Sequence, residues 1–286
     1  MNYLRHFGLR EAPFGITPDT SYFFACRAIQ EAFNTLQVAV ANGEGFIKIT
    51  GEVGAGKTLL CRKFLSTLDA TWVSAYVPNP SFEPRTLYLA LAEELGILVS
   101  ATLDQHQLVK AITRTLLDLA RQKKRVLLCM DESQAMSLET LEALRLLTNL
   151  ETEKRKLMQV VLFGQPELDR KLASPSIRQL LQRITFQHRM GGLQENEVGA
   201  YVAHRLAVAG LTGRSLLPSG ALRALHRASR GLPRLINIVM HKAMLLTYGE
   251  GRWVVERRHV VAAAADTPAA ERRGRAWWRL GFGRAD

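Results

Sequence analysis

The stretch Gly51-Glu52-Val53-Gly54-Ala55-Gly56-Lys57-Thr58 decides the fold of this chain. It has the spacing of a phosphate-binding loop: glycine, four variable residues, glycine, lysine, then serine or threonine. Upstream, Phe46-Ile47-Lys48-Ile49-Thr50 reads as a short strand, and downstream Leu59-Leu60-Cys61-Arg62-Lys63-Phe64-Leu65 reads as a helix. The chemistry needs that setting, because loop N–H groups must converge on phosphate oxygens at a helix N-terminus. The glycines at 51, 54 and 56 permit positive φ and close approach of the backbone to a ligand. The expected nucleotide contacts are Gly51, Glu52, Val53, Gly54, Ala55, Gly56, Lys57, Thr58 and Leu59. Within this run, Lys57 would pair with the β- and γ-phosphates, and the Thr58 hydroxyl would ligate Mg²⁺.

Strand-like apolar runs alternate with helical patterns on either side of the loop. The runs are 46–50, 72–77, 125–130, 159–163 and, more weakly, 184–187. Between them, residues 58–68, 85–95, 105–122 and 138–150 carry apolar residues at spacings of three and four. This alternation predicts an α/β fold with a parallel sheet sandwiched between helices. After Gly191-Gly192 the strands stop. Residues 195–209, 218–230, 233–248 and 255–265 all read as helices, with Pro218 and Pro233 suited to helix starts. The expected domains are a nucleotide-binding α/β part at 1–191, with a linker at 1–45, and a small all-helical lid at 192–266. A basic tail follows at 267–286.

Met130-Asp131-Glu132 ends the third run. A carboxylate at the C-terminal end of a parallel strand sits beside the ligand in open α/β folds. Asp131 would hold the Mg²⁺ hydration shell, and Glu132, one residue on, would orient or deprotonate an attacking water. Acidic residues also suit a helix N-terminus, but the upstream loop favours the catalytic reading and, with it, ATP hydrolysis. Gln165 ends the fourth run, and its amide can both donate to and accept from a water. Gly164-Gln165-Pro166 is equally good turn chemistry, so both readings of Gln165 stand.

Composition narrows the setting. The chain has 286 residues, is 47% hydrophobic and carries a formal charge of +12. No apolar run reaches the roughly 20 residues a membrane span needs, and Met1 to His6 lacks a secretory core, so a cytoplasmic location is expected. Cys26, Cys61 and Cys129 are far apart and show no metal-ligand spacing. The positive charge favours anionic partners such as nucleotide, nucleic acid or an anionic membrane face. Its scatter along helices also fits a plain solvated surface.

Several motifs recur in one order: 51–58, 130–132, Gly164-Gln165-Pro166-Glu167-Leu168, Gln182-Arg183-Ile184 and Gly231-Leu232-Pro233-Arg234-Leu235-Ile236-Asn237. Together they resemble the AAA+ ATPases of the ExeA/GspA group, most of all its branch tied to a mannose-sensitive haemagglutinin (MSHA) type IV pilus. The opening Tyr3-Leu4-Arg5-His6-Phe7-Gly8-Leu9, Pro13-Phe14, Thr17-Pro18-Asp19 and Gly43-Glu44-Gly45-Phe46 are similar to that group too. The resemblance covers about residues 1–266. It implies a P-loop NTPase binding ATP and Mg²⁺, homo-oligomeric in the manner of hexameric AAA+ rings, and working with pilus or type II secretion proteins. It also implies that Arg183 is an arginine finger reaching a neighbouring subunit's nucleotide, with Arg178 a competitor for that role. A surface or DNA-facing arginine is the other account of either residue. Arg234 resembles the second sensor, projecting from the lid onto the phosphates.

GspA-type proteins continue through a membrane span into a periplasmic peptidoglycan-binding region, which this sequence lacks, so wall remodelling is not expected of it. The tail's Arg272, Arg273, Arg275 and Arg279 with Trp277, Trp278 and Phe282 suit contact with anionic lipid at the inner membrane, or a plain chain end. Related AAA+ proteins of the TniB kind share much of the motif set, leaving a DNA-dependent transposition or loading ATPase as the alternative. Phe7, Phe14 and Ile16 are candidates for contact with adenine or for ordinary packing.

Overall fold

The computed structural model describes residues 2–81, 83–100, 103–151, 156–213 and 215–270. In chain order the first elements are α1 (Asn2–His6), α2 (Arg27–Ala41), β1 (Phe46–Gly51), α3 (Lys57–Leu65), β2 (Trp72–Val77), α4 (Pro84–Glu94), α5 (Gln105–Arg121) and β3 (Arg125–Met130). Then come α6 (Leu138–Leu147), β4 (Met158–Gly164), α7 (Glu167–Leu172), α8 (Arg178–Leu181) and β5 (Ile184–Met190). The last four helices are α9 (Glu195–Val208), α10 (Ser219–Ser229), α11 (Pro233–Gly249) and α12 (Arg257–Ala265). Short 3-10 turns cover Thr20–Tyr22, Ser133–Ala135 and Pro175–Ile177.

The chain divides into two compact units. Among the described residues, one holds Ile29–Val53 and Lys57–Met190; the other holds those up to Ala28, Gly54–Gly56 and those from Gly191 to residue 270. In the first unit the five strands lie in the order β2-β3-β4-β1-β5, every pair parallel. All five carboxyl ends therefore share one edge of the sheet. From Phe46, Val126 and Met158 onward β1, β3 and β4 are buried throughout and apolar apart from Lys48, Thr50 and Gln159, because those strands are covered on both faces. β5, at the edge, alternates half-buried and exposed positions instead.

Helix starts in this unit follow local chemistry. Asp104 caps α5 by accepting from the Gln107 N–H at 2.7 Å, while Gln107 Oε1 accepts from the Asp104 N–H at 3.0 Å. Leu108, Ile112 and Leu116 then recur every fourth residue and are buried against the sheet's core cluster. Each such leucine or isoleucine contributes about 1.5–3 kcal/mol by leaving water. Ser137 caps α6 by accepting from the Thr140 N–H at 3.1 Å.

Lys48 departs from the apolar pattern of β1. It is buried, and its Nζ donates to Asp169 Oδ1 of α7 at 2.5 Å. A buried ammonium persists only with such a partner.

The second unit contains the helices after Gly191, and residues 1–28 group with them rather than forming a linker to the α/β part. The reason is visible in the contacts. Phe7 and Phe14 are buried, the Arg10 N–H donates to the Ala209 carbonyl at 2.9 Å, and Asn237 Nδ2 donates to the Gly15 carbonyl at 3.0 Å. Arg205 is itself buried, donates to the Pro13 carbonyl at 2.5 Å and stacks over the Tyr22 ring at 4.3 Å. These buried positions give Phe7 and Phe14 packing roles. Ile16, 57% exposed, is the one of the three adenine candidates open to solvent. The tail residues Arg272, Arg273, Arg275, Trp277, Trp278, Arg279 and Phe282 lie outside the described residues.

Candidate nucleotide site

Strand order brings the motif residues together. β4 lies between β1 and β3, with Thr50 opposite Gly164 and Met130 opposite Leu162. Gln165, immediately after β4, thus stands between the loop after β1 and the acidic pair after β3.

The Thr58 hydroxyl donates to Asp131 Oδ2 at 2.6 Å, and the Tyr76 hydroxyl reaches the same oxygen at 3.3 Å. Asp131 Oδ1 accepts from the Glu132 N–H at 2.9 Å. Burial raises the Asp131 pKa, partly offset by the Thr58 and Glu132 hydrogen bonds. A hydroxyl and a buried carboxylate side by side form a hard oxygen donor pair, the kind Mg²⁺ takes alongside phosphate oxygens and water. The residues present therefore fit the ion. Among the described residues no group of three or more His, Cys, Asp or Glu side chains could hold a metal.

Lys57 is buried at the start of α3, its Nζ donating to the Gly51 carbonyl at 2.7 Å and the Glu52 carbonyl at 3.1 Å. Burial lowers its pKa, against the opposing pull of Glu132, Asp131, Glu52 and Glu167.

Glu132 adopts a left-handed backbone, φ 50° and ψ 36°, which costs a non-glycine residue about 1 kcal/mol. Its Oε2 accepts from Gln134 Nε2 at 2.5 Å and from Gln165 Nε2 at 3.0 Å. Burial would raise the Glu132 pKa, yet these two amide donors and the Lys57 charge hold it below the ordinary glutamate range. Gln165 thus contacts the acidic residue directly, in addition to making the turn before Pro166. Glu132, Gln165, Asp131, Thr58 and Lys57 form one connected set inside a single unit.

Arg183 and Arg178, in the same unit, lie apart from that set. Arg183 precedes β5, at the edge opposite the strand ends that carry Glu132 and Gln165. It is half-buried, with Nη1 enclosed and without a hydrogen-bond partner among the described residues, and its charge helps lower the Glu142 pKa after the larger effect of Arg145. Arg178 is exposed at the start of α8.

Arg234 is exposed in the first turn of α11. Its N–H donates to the Gly54 carbonyl at 3.2 Å, and a Cβ at Gly54 would lie 2.3 Å from the Arg234 Cβ. Only glycine fits there. Gly231, at φ 72°, is equally constrained, since a Cβ would lie 2.0 Å from the Leu193 carbonyl oxygen. The glycine in the Gly-Leu-Pro-Arg run is therefore a backbone crossing that starts α11 in place.

Four residues at or beside the site escape the motif reading: Gln134, Tyr76, Lys48 and Asp169. The lysine inside Phe46-Ile47-Lys48-Ile49 was the one signal available, since a buried cation demands a carboxylate.

A family model described as an AAA domain matches residues 40–172. The chain is 38% identical over 280 residues to General secretion pathway protein A of Aeromonas hydrophila, covering 98% of this chain and 51% of that protein. The chain carries an AAA domain and is similar along nearly its whole length to a protein of the ExeA/GspA group. It spans about half the length of that relative. Solved structures place the AAA+ fold on the same footing. Cdc6p from Pyrobaculum aerophilum aligns with a TM-score of 0.65 at 14% identity, over 87% of this chain and 70% of that one. The Aeropyrum pernix ORC1 protein, solved in complex with DNA, aligns at 0.62 with 18% identity, over 90% and 69%. The Thermotoga maritima RuvB branch migration motor aligns at 0.51 with 13% identity, over 83% and 68%. Identities this low speak to fold alone. No helix among the described residues of this AAA+ chain is long and apolar enough to cross a membrane.

Proposed function

We propose that this chain binds ATP with Mg²⁺ and hydrolyses it to drive a type II secretion system or an MSHA-like type IV pilus. One observation carries the hydrolytic half: Thr58 meets Asp131, and Gln165 meets Glu132, at the same end of one sheet. A site that only held nucleotide would have no use for a carboxylate bound to an amide beyond the metal pair. The secretion half rests on the name of the Aeromonas hydrophila relative, and the pilus is the finer reading within it.

Loop amides would grip the phosphates, and Lys57 would leave the Gly51 and Glu52 carbonyls to meet the β- and γ-oxygens. Thr58 and Asp131 would hold Mg²⁺, which neutralises charge on those oxygens. Glu132 would take the proton of the attacking water while Gln165 holds the water in line. Arg234 would contact the phosphates from α11. Arg183, at the far edge of its own sheet, would serve a neighbouring subunit in a homo-oligomeric ring. The expected location is cytoplasmic, peripheral to the inner membrane.

The formal charge of +12 supports a second reading, a DNA-dependent loader of the TniB kind. Phosphate release by the purified protein, measured with ATP alone, with duplex DNA and with anionic vesicles, tests both. Turnover indifferent to DNA supports the first reading. Stimulation by DNA that fades steeply with salt would overturn it in favour of the second.

A further inference from the structure

We propose that Gln134 is a positioning residue that fixes the Glu132 carboxylate and ties it to the loop bearing Gln165. This inference rests on the ATP-hydrolysing reading given above. Both ends of the Gln134 amide are engaged. Its Oε1 accepts from the main-chain N–H of Gln165 at 3.0 Å, and its Nε2 donates to Glu132 Oε2 at 2.5 Å. The first bond sets the sense of the second. A peptide N–H can only donate, so the amide oxygen must face Gln165 and the NH₂ must face Glu132.

The residue is itself held from outside. Lys171 Nζ of α7 donates to the Gln134 carbonyl at 2.6 Å and to the Met136 carbonyl at 2.5 Å. Two residues earlier in α7, Asp169 pairs with Lys48 of β1. The turn carrying Gln134 is thus fastened to α7, which is fastened in turn to the strand leading into the phosphate loop. Gly164, just ahead of Gln165, is itself packed closely against Leu168 of α7. A Cβ at Gly164 would meet Leu168 Cδ2 at 2.7 Å and Gln134 Oε1 at 3.4 Å.

The consequence is a division of labour between two amides on one carboxylate oxygen. The side chain of Gln165, which donates to Glu132, can leave it for a water or a γ-phosphate, because Gln134 holds the backbone of Gln165 rather than its amide. When Gln165 turns away, Gln134 remains on Glu132 and keeps the carboxylate aimed. Without Gln134, Glu132 in its left-handed turn would lose its fixed donor, and aim would be lost while nucleotide affinity stayed.

The test is Gln134→Met, which keeps the length and volume but neither hydrogen bond. Steady-state phosphate release should fall by about 100-fold in kcat, the lower range for a displaced general base. Equilibrium binding of a fluorescent ATP analogue and the melting temperature should stay near wild type. A merely structural role would move affinity and melting together with kcat. In a Glu132→Gln background, residual hydrolysis of radiolabelled ATP should fall less than about twofold further, since the aimed group is gone. Wild-type turnover by Gln134→Met, or a full second 100-fold loss in the double variant, overturns the proposal and leaves the ATPase reading standing. Absence of phosphate release by the wild-type protein overturns both.

Discussion

Thr58 and Asp131, 73 residues apart, share a 2.6 Å hydrogen bond across the carboxyl edge of the sheet. It joins the end of the phosphate loop to the end of β3 and brings two oxygen donors to one point. Chelating Mg²⁺ with EDTA should therefore abolish turnover while leaving the fold intact by circular dichroism. Asp131→Asn should lower kcat by about 10²–10³, the range for removing one electrostatic stabiliser of a transition state. Full activity in EDTA would remove the metal role from both residues.

The Lys48–Asp169 pair should be asymmetric under mutation. The Lys48 side chain is 8% exposed and that of Asp169 is 37% exposed. Asp169→Ala strands a buried ammonium and should cost about 3 kcal/mol in denaturant unfolding. Lys48→Met leaves a carboxylate that water can reach, and should cost about 1 kcal/mol. Equal losses would contradict the burial argument.

Gly231→Ala should destabilise the helical unit. The left-handed backbone costs alanine about 1 kcal/mol, and the clash with the Leu193 carbonyl adds about 1–3 kcal/mol of overpacking. Thermal melting followed by circular dichroism reads the loss. An unchanged melting temperature would mean that the 193 and 231 backbones can separate freely.

Arg183 sits at the amino edge of β5, away from Glu132, so its proposed catalytic role must be exerted on another subunit. Arg183→Ala should lower kcat by about 10³. Mixing it with Lys57→Ala protein should recover activity, because each supplies what the other lacks. A mixture no more active than the sum of its parts would rule out action in trans. Running Arg178→Ala in parallel decides between the two arginines.

Much of the sheet was legible because each strand is a run of apolar residues closed by a recognisable motif. Five runs predicted from residues 46–187 all became strands, with boundaries shifted by at most a few residues. The parts that were not legible depend on contacts between distant segments. Residues 1–45 read as a linker because the apolar residues of its first part, Phe7 and Phe14 among them, show no period that says what they pack against. Only the folded chain brings Arg205 and Asn237 against Pro13 and Gly15. α7 escaped notice because six residues, with Leu168 and Leu172 alone buried, give too short a period to read. Gln134 carried no signal at all, since its partner's N–H lies 31 residues on.

On the proposed reading, Glu132, the one carboxylate beyond the metal pair, separates a hydrolase from a mere nucleotide binder. Phosphate release by Glu132→Gln, measured beside its equilibrium affinity for ATP, tests that most directly. Affinity should stay at the wild-type value while turnover falls by at least about 100-fold. Wild-type turnover in Glu132→Gln would contradict that reading.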